Sequence, residues 1–220
     1  MLDLALALLA RTYGETEKAA VKLTDSCISL CPDLLAHNEG SKILLLYNDL
    51  ERFLVAMLKD DARRKYARAM LTRSRADLAS AGKDISLSDE DLSDARCAAY
   101  AWVGLMYPYL TLLAKYPYRV RSLDAQEFFN HPRDVLCSLG RFFDLEITED
   151  TVEKQLSQGI LQKDSKRPSR SFESARYESD FEETKRSLRA EIDDAMEWIS
   201  TVTSDDTIPA KLPSPLVTVS

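Results

Sequence analysis

The chain has 220 residues, 45% of them hydrophobic, and a formal net charge of −7. That is enough apolar mass for one domain with a buried core. The acidic balance excludes non-specific binding to nucleic acid or to an anionic membrane, so any basic site must be local.

The N-terminal run MLDLALALLARTYG has no basic flank, carries Asp3 and is too short to span a bilayer. It reads as a short helix over residues 2–13 closed by Gly14, neither signal peptide nor membrane helix. Residues 19–23 (AAVKL) then read as a short apolar strand. Thr24, Asp25 and Ser26 supply a cap for a helix carrying Ile28 and Leu30, and Pro32 restarts it through Leu34 and Leu35. Cys27, Cys31, Cys97 and Cys137 are scattered through apolar helical patterns. They read as buried free thiols of a reduced, cytoplasmic protein, and Cys27 and Cys31 alone do not make a metal site.

The centre of the chain is the stretch 41–71. Residues 42–47 (KILLLY) are a continuous apolar run between turn signals, which reads as a strand buried on both faces. Asp49 is placed to cap the next helix, where Leu50, Phe53, Leu54, Met57 and Leu58 recur at helical spacing. A buried strand, a short turn and an amphipathic helix form the α/β unit that commonly holds a ligand at the strand's carboxyl end. Tyr47, Asn48 and Asp49 therefore mark where a site belongs. The helix is expected to run on to about residue 81 through Arg63, Arg64, Lys65, Arg68, Arg73 and Arg75. Those cations either grip an anion or form a solvated face offset by Asp60, Asp61 and Asp77.

Ser88 is the expected cap of a strongly apolar helix over residues 92–115, with an aromatic stripe of Tyr100, Trp102, Met106, Tyr107 and Tyr109. The stripe is either core packing or the lining of an acceptor pocket, and Pro108 is expected to kink or split the helix. Residues 118–123 are a third short strand. Asn130 and Pro132 start a helix whose apolar face is Val135, Leu136, Leu139, Phe142 and Phe143. Thr148 caps a further helix ending near Gly159. A polar loop follows over 160–174, carrying Lys163, Lys166, Arg167 and Arg170. A long terminal helix is striped by Tyr177, Phe181, Leu188, Ile192, Ala195 and Ile199. Residues 203–220, with three prolines, read as a flexible C-terminal tail on a domain spanning 1–202.

Most active-site chemistries fail on residue supply. The six glycines stand at 14, 40, 82, 104, 140 and 159, so neither GxxxxGK[ST] nor GxGxxG can be written. His37 and His131 lie at helix ends without metal or triad spacing, and there is no GxSxG elbow. What remains is the loop with Lys163, Ser165, Lys166, Arg167 and Arg170, which either binds a phosphate monoester or is a disordered basic loop.

Four segments in order resemble one family. KILLLYNDLERFLVAMLK is similar to the strand and helix that carry the donor 3′-phosphate contact in sulfotransferases using phosphoadenosine phosphosulfate (PAPS). YRVRSLDAQEFFNHPRDVLCSLGRFFDL, KDSKRPSRSF and AAVKLTDSCISLCPDLLA resemble further parts of bacterial sulfotransferase-like proteins, over roughly residues 4–202. The resemblance implies an α/β fold: a helix-rich, truncated remnant of the P-loop sulfotransferase-like fold, with about three short parallel strands flanked by long helices. It implies sulfuryl transfer from PAPS to a hydroxyl or amine, with a nucleotide donor and a small-molecule acceptor as partners and no metal.

The sequence departs from the family in two places. The family's phosphosulfate loop would lie before Met1. Tyr47 stands where many members carry an Arg, and Val55 or Ala56 where they carry a Ser; Tyr adds no charge to pair with a dianion. The chain alone is therefore expected to be inactive, with Tyr47, Lys163, Lys166 and Arg170 as the residues left to contact a donor nucleotide. Open sheet edges would favour self-association or a partner chain. The alternative is a non-catalytic helical interaction module.

Overall fold

The computed structural model describes residues 8–9, 11–12, 14, 17–85, 92–162, 174–203 and 208–217. The chain is mostly helical around one small parallel sheet, a helix-rich α/β arrangement. β1 (Ile43–Tyr47) runs beside β2 (Val120–Asp124), paired from Ile43↔Val120 to Tyr47↔Asp124. Alternation puts Ile43, Leu45 and Tyr47 with Val120 and Ser122 on one face. On that face Leu45, Tyr47 and Val120 join the core. The opposite face is more open, and Leu46 is 56% exposed there.

Only two of the three expected strands form. Residues 19–23 take no regular structure and pair with no strand among the described residues: Leu45 has Ser122, not Val21, as its neighbour. A strand needs a ladder partner. Residues 19–22 instead lie exposed, Val21 at 47%, and only Leu23 reaches the core. Lys18, just before them, donates to the backbone carbonyls of Phe143 and Asp144.

The helices are α1 (Cys31–His37), α2 (Leu50–Leu58), α3 (Asp61–Ser80), α4 (Asp94–Lys115), α5 (Ala125–Asn130), α6 (Pro132–Phe143), α7 (Glu149–Ser157), α8 (Ser174–Ser187) and α9 (Arg189–Val202). A 3₁₀ segment (Asp25–Leu30) leads into α1. The long helix expected from residue 49 to 81 is broken after Leu58. Asp60 takes an extended conformation and accepts the Arg63 N–H at 2.9 Å, a second N-cap that outcompetes continuation. The terminal helix is likewise broken, at Leu188.

α4 is the axis of the molecule. It stays helical through Pro108, and its residues from Cys97 to Tyr107 are buried against α2, α3 and α9. The expected Ser88 cap lies outside the described residues; Ser93 caps α4 instead, accepting from the Arg96 N–H at 3.2 Å. By length and composition α4 is apolar enough to cross a membrane, but 72% of its apolar window is buried within the fold. Tyr100, Trp102, Met106 and Tyr107 are core residues, so the aromatic stripe is packing rather than an open pocket.

The stretch read as a flexible tail contributes to the sheet. Residues 208–217 form a strap along the free edge of β2, where Ser122 bridges to Pro215 in parallel. Leu212 is buried at 3% exposure.

Candidate functional site

The carboxyl ends of β1 and β2 face a cavity of about 160 Å³, where the α/β rule places a ligand. Three parts build it. The strands bring Tyr47, Ser122, Leu123 and Asp124, α5 brings Glu127, and the strap brings Lys211, Leu212, Pro215, Leu216 and Val217.

Each side chain is positioned by a local rule. Asp49, at the turn after β1, caps α2 by accepting the Arg52 N–H at 2.7 Å. The Asn48 carbonyl accepts the Trp102 indole N–H at 2.9 Å, tying the turn to α4. Asp124 ends β2 and caps α5 by accepting the Gln126 N–H at 2.9 Å. Tyr47 is 7% exposed, and its hydroxyl accepts the Leu212 N–H at 3.1 Å.

The electrostatics are acidic. Burial, then the neighbouring charges of Asp49 and Glu127, push the Asp124 carboxyl above its ordinary value, against the pull of the Gln126 N–H and Lys211. Burial also raises the Tyr47 phenol, with Asp124 and Glu127 adding to it. The cavity's cation is Lys211, and it is committed to Glu127 at 2.8 Å. That contact raises the Lys211 ammonium above its usual value.

Of the residues singled out in sequence, Tyr47 is at the site but buried in the core and engaged by the strap. Lys163, Lys166 and Arg170 lie outside the described residues. The first side chains described beyond their loop do border the turn: Tyr177 stacks on Phe129 of α5 at 6.1 Å, and Glu178 grips Arg52 at 2.8 and 3.3 Å. Four of the six cations of α3 are held in ion pairs. Arg63 meets Asp60 at 3.4 Å, Arg64 meets Glu191 at 2.6 Å, Arg68 meets Asp94, and Arg73 meets Asp25 at 3.2 Å. Three of these partners, Asp25, Asp94 and Glu191, come from other elements, where the sequence offered Asp60, Asp61 and Asp77.

Ser122, Asp124, Glu127, Lys211 and Leu212 were not singled out in sequence. Asp124 had a signal, an acidic residue between a strand and a helix. Leu212 had none, being a lone leucine among prolines.

A phosphosulfate donor does not fit the described residues here. A dianion needs fixed cations or a cradle of backbone N–H groups. The cavity instead presents Asp124 and Glu127, and its one polar ring, Tyr47, already accepts from the chain. Among the described residues no group of three or more His, Cys, Asp and Glu could hold a metal ion. The four cysteines are free. Burial, then the neighbouring Cys27, pushes the Cys31 thiol up to about 11. No protein-family model, curated protein or solved structure matches the chain.

Proposed function

We propose that this chain is a sulfotransferase-like protein that does not itself transfer a sulfuryl group, a helix-rich relative of the P-loop fold in which the strand-turn-helix unit serves as scaffold. The four ordered sequence segments support the kinship, as does β1 feeding α2 through Asn48 and Asp49 beside a parallel neighbour. A reducing, cytoplasmic setting suits its four thiols.

One observation carries the inactive reading. Tyr47 stands at the position from which a donor would be gripped, is buried, and accepts a backbone hydrogen bond from Leu212 amid Asp124 and Glu127. An incoming phosphate would meet carboxylates there. The test is calorimetric titration of the full chain with adenosine 3′,5′-bisphosphate, together with an assay of sulfuryl transfer from PAPS to phenol and amine acceptors. We expect neither heat nor turnover, and turnover by the purified chain overturns the reading. Any binding heat that survives Lys163→Ala, Lys166→Ala and Arg170→Ala together discards those side chains as donor contacts.

A second reading, a non-catalytic interaction module, is favoured by the sheet itself. The second edge of β1 pairs with no strand among the described residues, and Leu46 is 56% exposed beside it. Such an edge templates pairing with another chain. Concentration-independent monomer in sedimentation, at up to hundreds of micromolar, would remove self-association through this edge.

A further inference from the structure

The strap is held in the manner of a bound peptide more than of a third strand. Among the described residues Ser122 makes both of the strap's backbone-to-backbone bonds with β2: its N–H donates to the Ser214 carbonyl at 3.1 Å, and its carbonyl accepts the Leu216 N–H at 2.8 Å. The Ser122 hydroxyl donates to the Pro213 carbonyl at 2.8 Å. Pro213 and Pro215 lack an N–H, but in this register the strap's donor to Ser122 is Leu216, and the bridge at Pro215 stays isolated. Between the two prolines Ser214 sits at φ 53°, a left-handed conformation that disfavours a non-glycine residue.

Specificity comes from two side chains at the start of the strap. Leu212 is the anchor, buried at 3% exposure, with its N–H on the Tyr47 hydroxyl. Lys211 lies over the acidic rim and pairs with Glu127, while Asp124 and the Tyr47 hydroxyl also act on its ammonium. Main-chain pairing at a sheet edge, with a pocket for one side chain and a charged rim for its neighbour, is how folded domains recognise extended peptides. The cavity of about 160 Å³ between strap and strand ends shows that the strap does not fill the groove.

We propose that the edge of β2 and its acidic rim are a recognition groove for an extended segment of a partner protein, of the form cation-Leu-Pro-x-Pro-apolar, and that residues 211–217 are its occupant in cis. The partner displaces the strap. The chemistry on the page selects that class: a cation for Glu127 and Asp124, a leucine for the pocket at Tyr47, and an apolar residue after the second proline whose N–H reaches the Ser122 carbonyl. The assignment goes beyond the reading above and stands without the sulfotransferase kinship, because it uses only the edge, the rim and the strap. Tethering through a short connection gives the strap an effective concentration of roughly millimolar, so it suppresses trans binding in the resting chain.

The test uses the full chain and a fluorescent peptide, AKLPSPLV, whose sequence is that of residues 210–217. Anisotropy should show the Leu212→Asp variant binding the peptide about tenfold or more tightly than wild type, because the strap no longer competes. Leu216→Pro, which deletes the N–H given to Ser122, releases the strap by a second route and should gain in the same direction. In the released background Glu127→Lys should weaken the peptide about fivefold, and a peptide with Glu in place of its Lys should recover the loss. Ser214→Gly relieves the strained φ, tightens the strap and should lower trans binding below wild type. The proposal fails if released variants, shown by faster amide exchange to have freed the strap, bind no peptide, or if wild type and released variants bind alike. A wild-type dimer formed by strap exchange would assign the groove to a second copy and overturn the separate partner.

Discussion

Between α3 and α4 the two helices approach so closely that a Cβ on Gly104 would stand 2.6 Å from the Ser74 Cβ and 3.0 Å from its Cα. At the carboxyl ends of β1 and β2, by contrast, about 160 Å³ remains open and the covering segment is held largely through one serine. The helical body is close-packed and apolar, built on α2, α3 and α4 with α9 returning against them from the far end of the chain. The sheet end is acidic, loosely covered and made of pieces brought from positions 47, 124 and 212. The close-packed core and the proposed groove are thus separated in this molecule. The body fixes the strand ends in place, and the strand ends remain available to be covered or uncovered.

The strongest way to break this comparison is to remove apolar volume from each region. Leu54 on α2 is fully buried, and Leu54→Ala should cost about 3 kcal/mol through lost burial and a residual cavity. Leu46, on the open face of β1, is 56% exposed, and Leu46→Ala should change stability by less than about 0.5 kcal/mol. Urea denaturation of the two variants reads the difference directly, and equal losses would mean that the sheet face is as buried as the body. Next in size is Gly104→Ala. The added methyl collides with backbone as well as side-chain atoms of Ser74, so the helices must separate, at about 2 kcal/mol. Ser74→Gly should recover part of that loss when combined with it, and simple additivity of the two changes would dismiss the contact.

How much of this was legible follows the same division. β1, its Asp49 cap and the apolar stripe of α2 were readable because each is decided by residues within a few positions. The same holds for α6, started by Pro132, and α7, capped by Thr148. The break after Leu58 was written in Asp60, but the apolar pattern of the preceding helix masked it. Tertiary pairing decided the rest. Residues 19–23 have a strand-like pattern and pair with no strand among the described residues, whereas residues 211–217 have the composition of a loose tail and find an edge at Ser122. At the site, Tyr47 was found from the end of the strand, but its burial under Leu212 could not be, since 165 positions separate them in the chain.

Titration probes the sheet end more gently. Burial first, and then Asp49 and Glu127, raise the Asp124 carboxyl above its unfolded value. A carboxyl raised on folding contributes stability that is fully present below the unfolded pKa and lost as pH rises through the folded value. At neutral pH the charged Asp124 therefore weighs against folding. Asp124→Asn keeps an oxygen to accept the Gln126 N–H and removes that charge, so it should raise Tm at pH 7 and leave it unchanged near pH 3. A lower Tm at pH 7 would mean that attraction to Lys211 outweighs burial.

The smallest effect should be at Lys211, and there the two regions are told apart by which property moves. The Lys211 side chain is 74% exposed, against 22% for Glu127, so the pair is open to solvent on the lysine side and Lys211→Ala should leave global stability within about 0.5 kcal/mol of wild type. The strap is another matter, because Lys211, with Leu212, orients it on the groove. Amide exchange at Leu212 and Leu216 should accelerate in Lys211→Ala while exchange in α4 stays constant, since a local opening of the strap leaves the helical body intact. Raising the salt concentration in wild type should reproduce that acceleration, because screening weakens the same exposed pair. Parallel acceleration in α4 would tie the strap into the cooperative core and erase the distinction between body and sheet end.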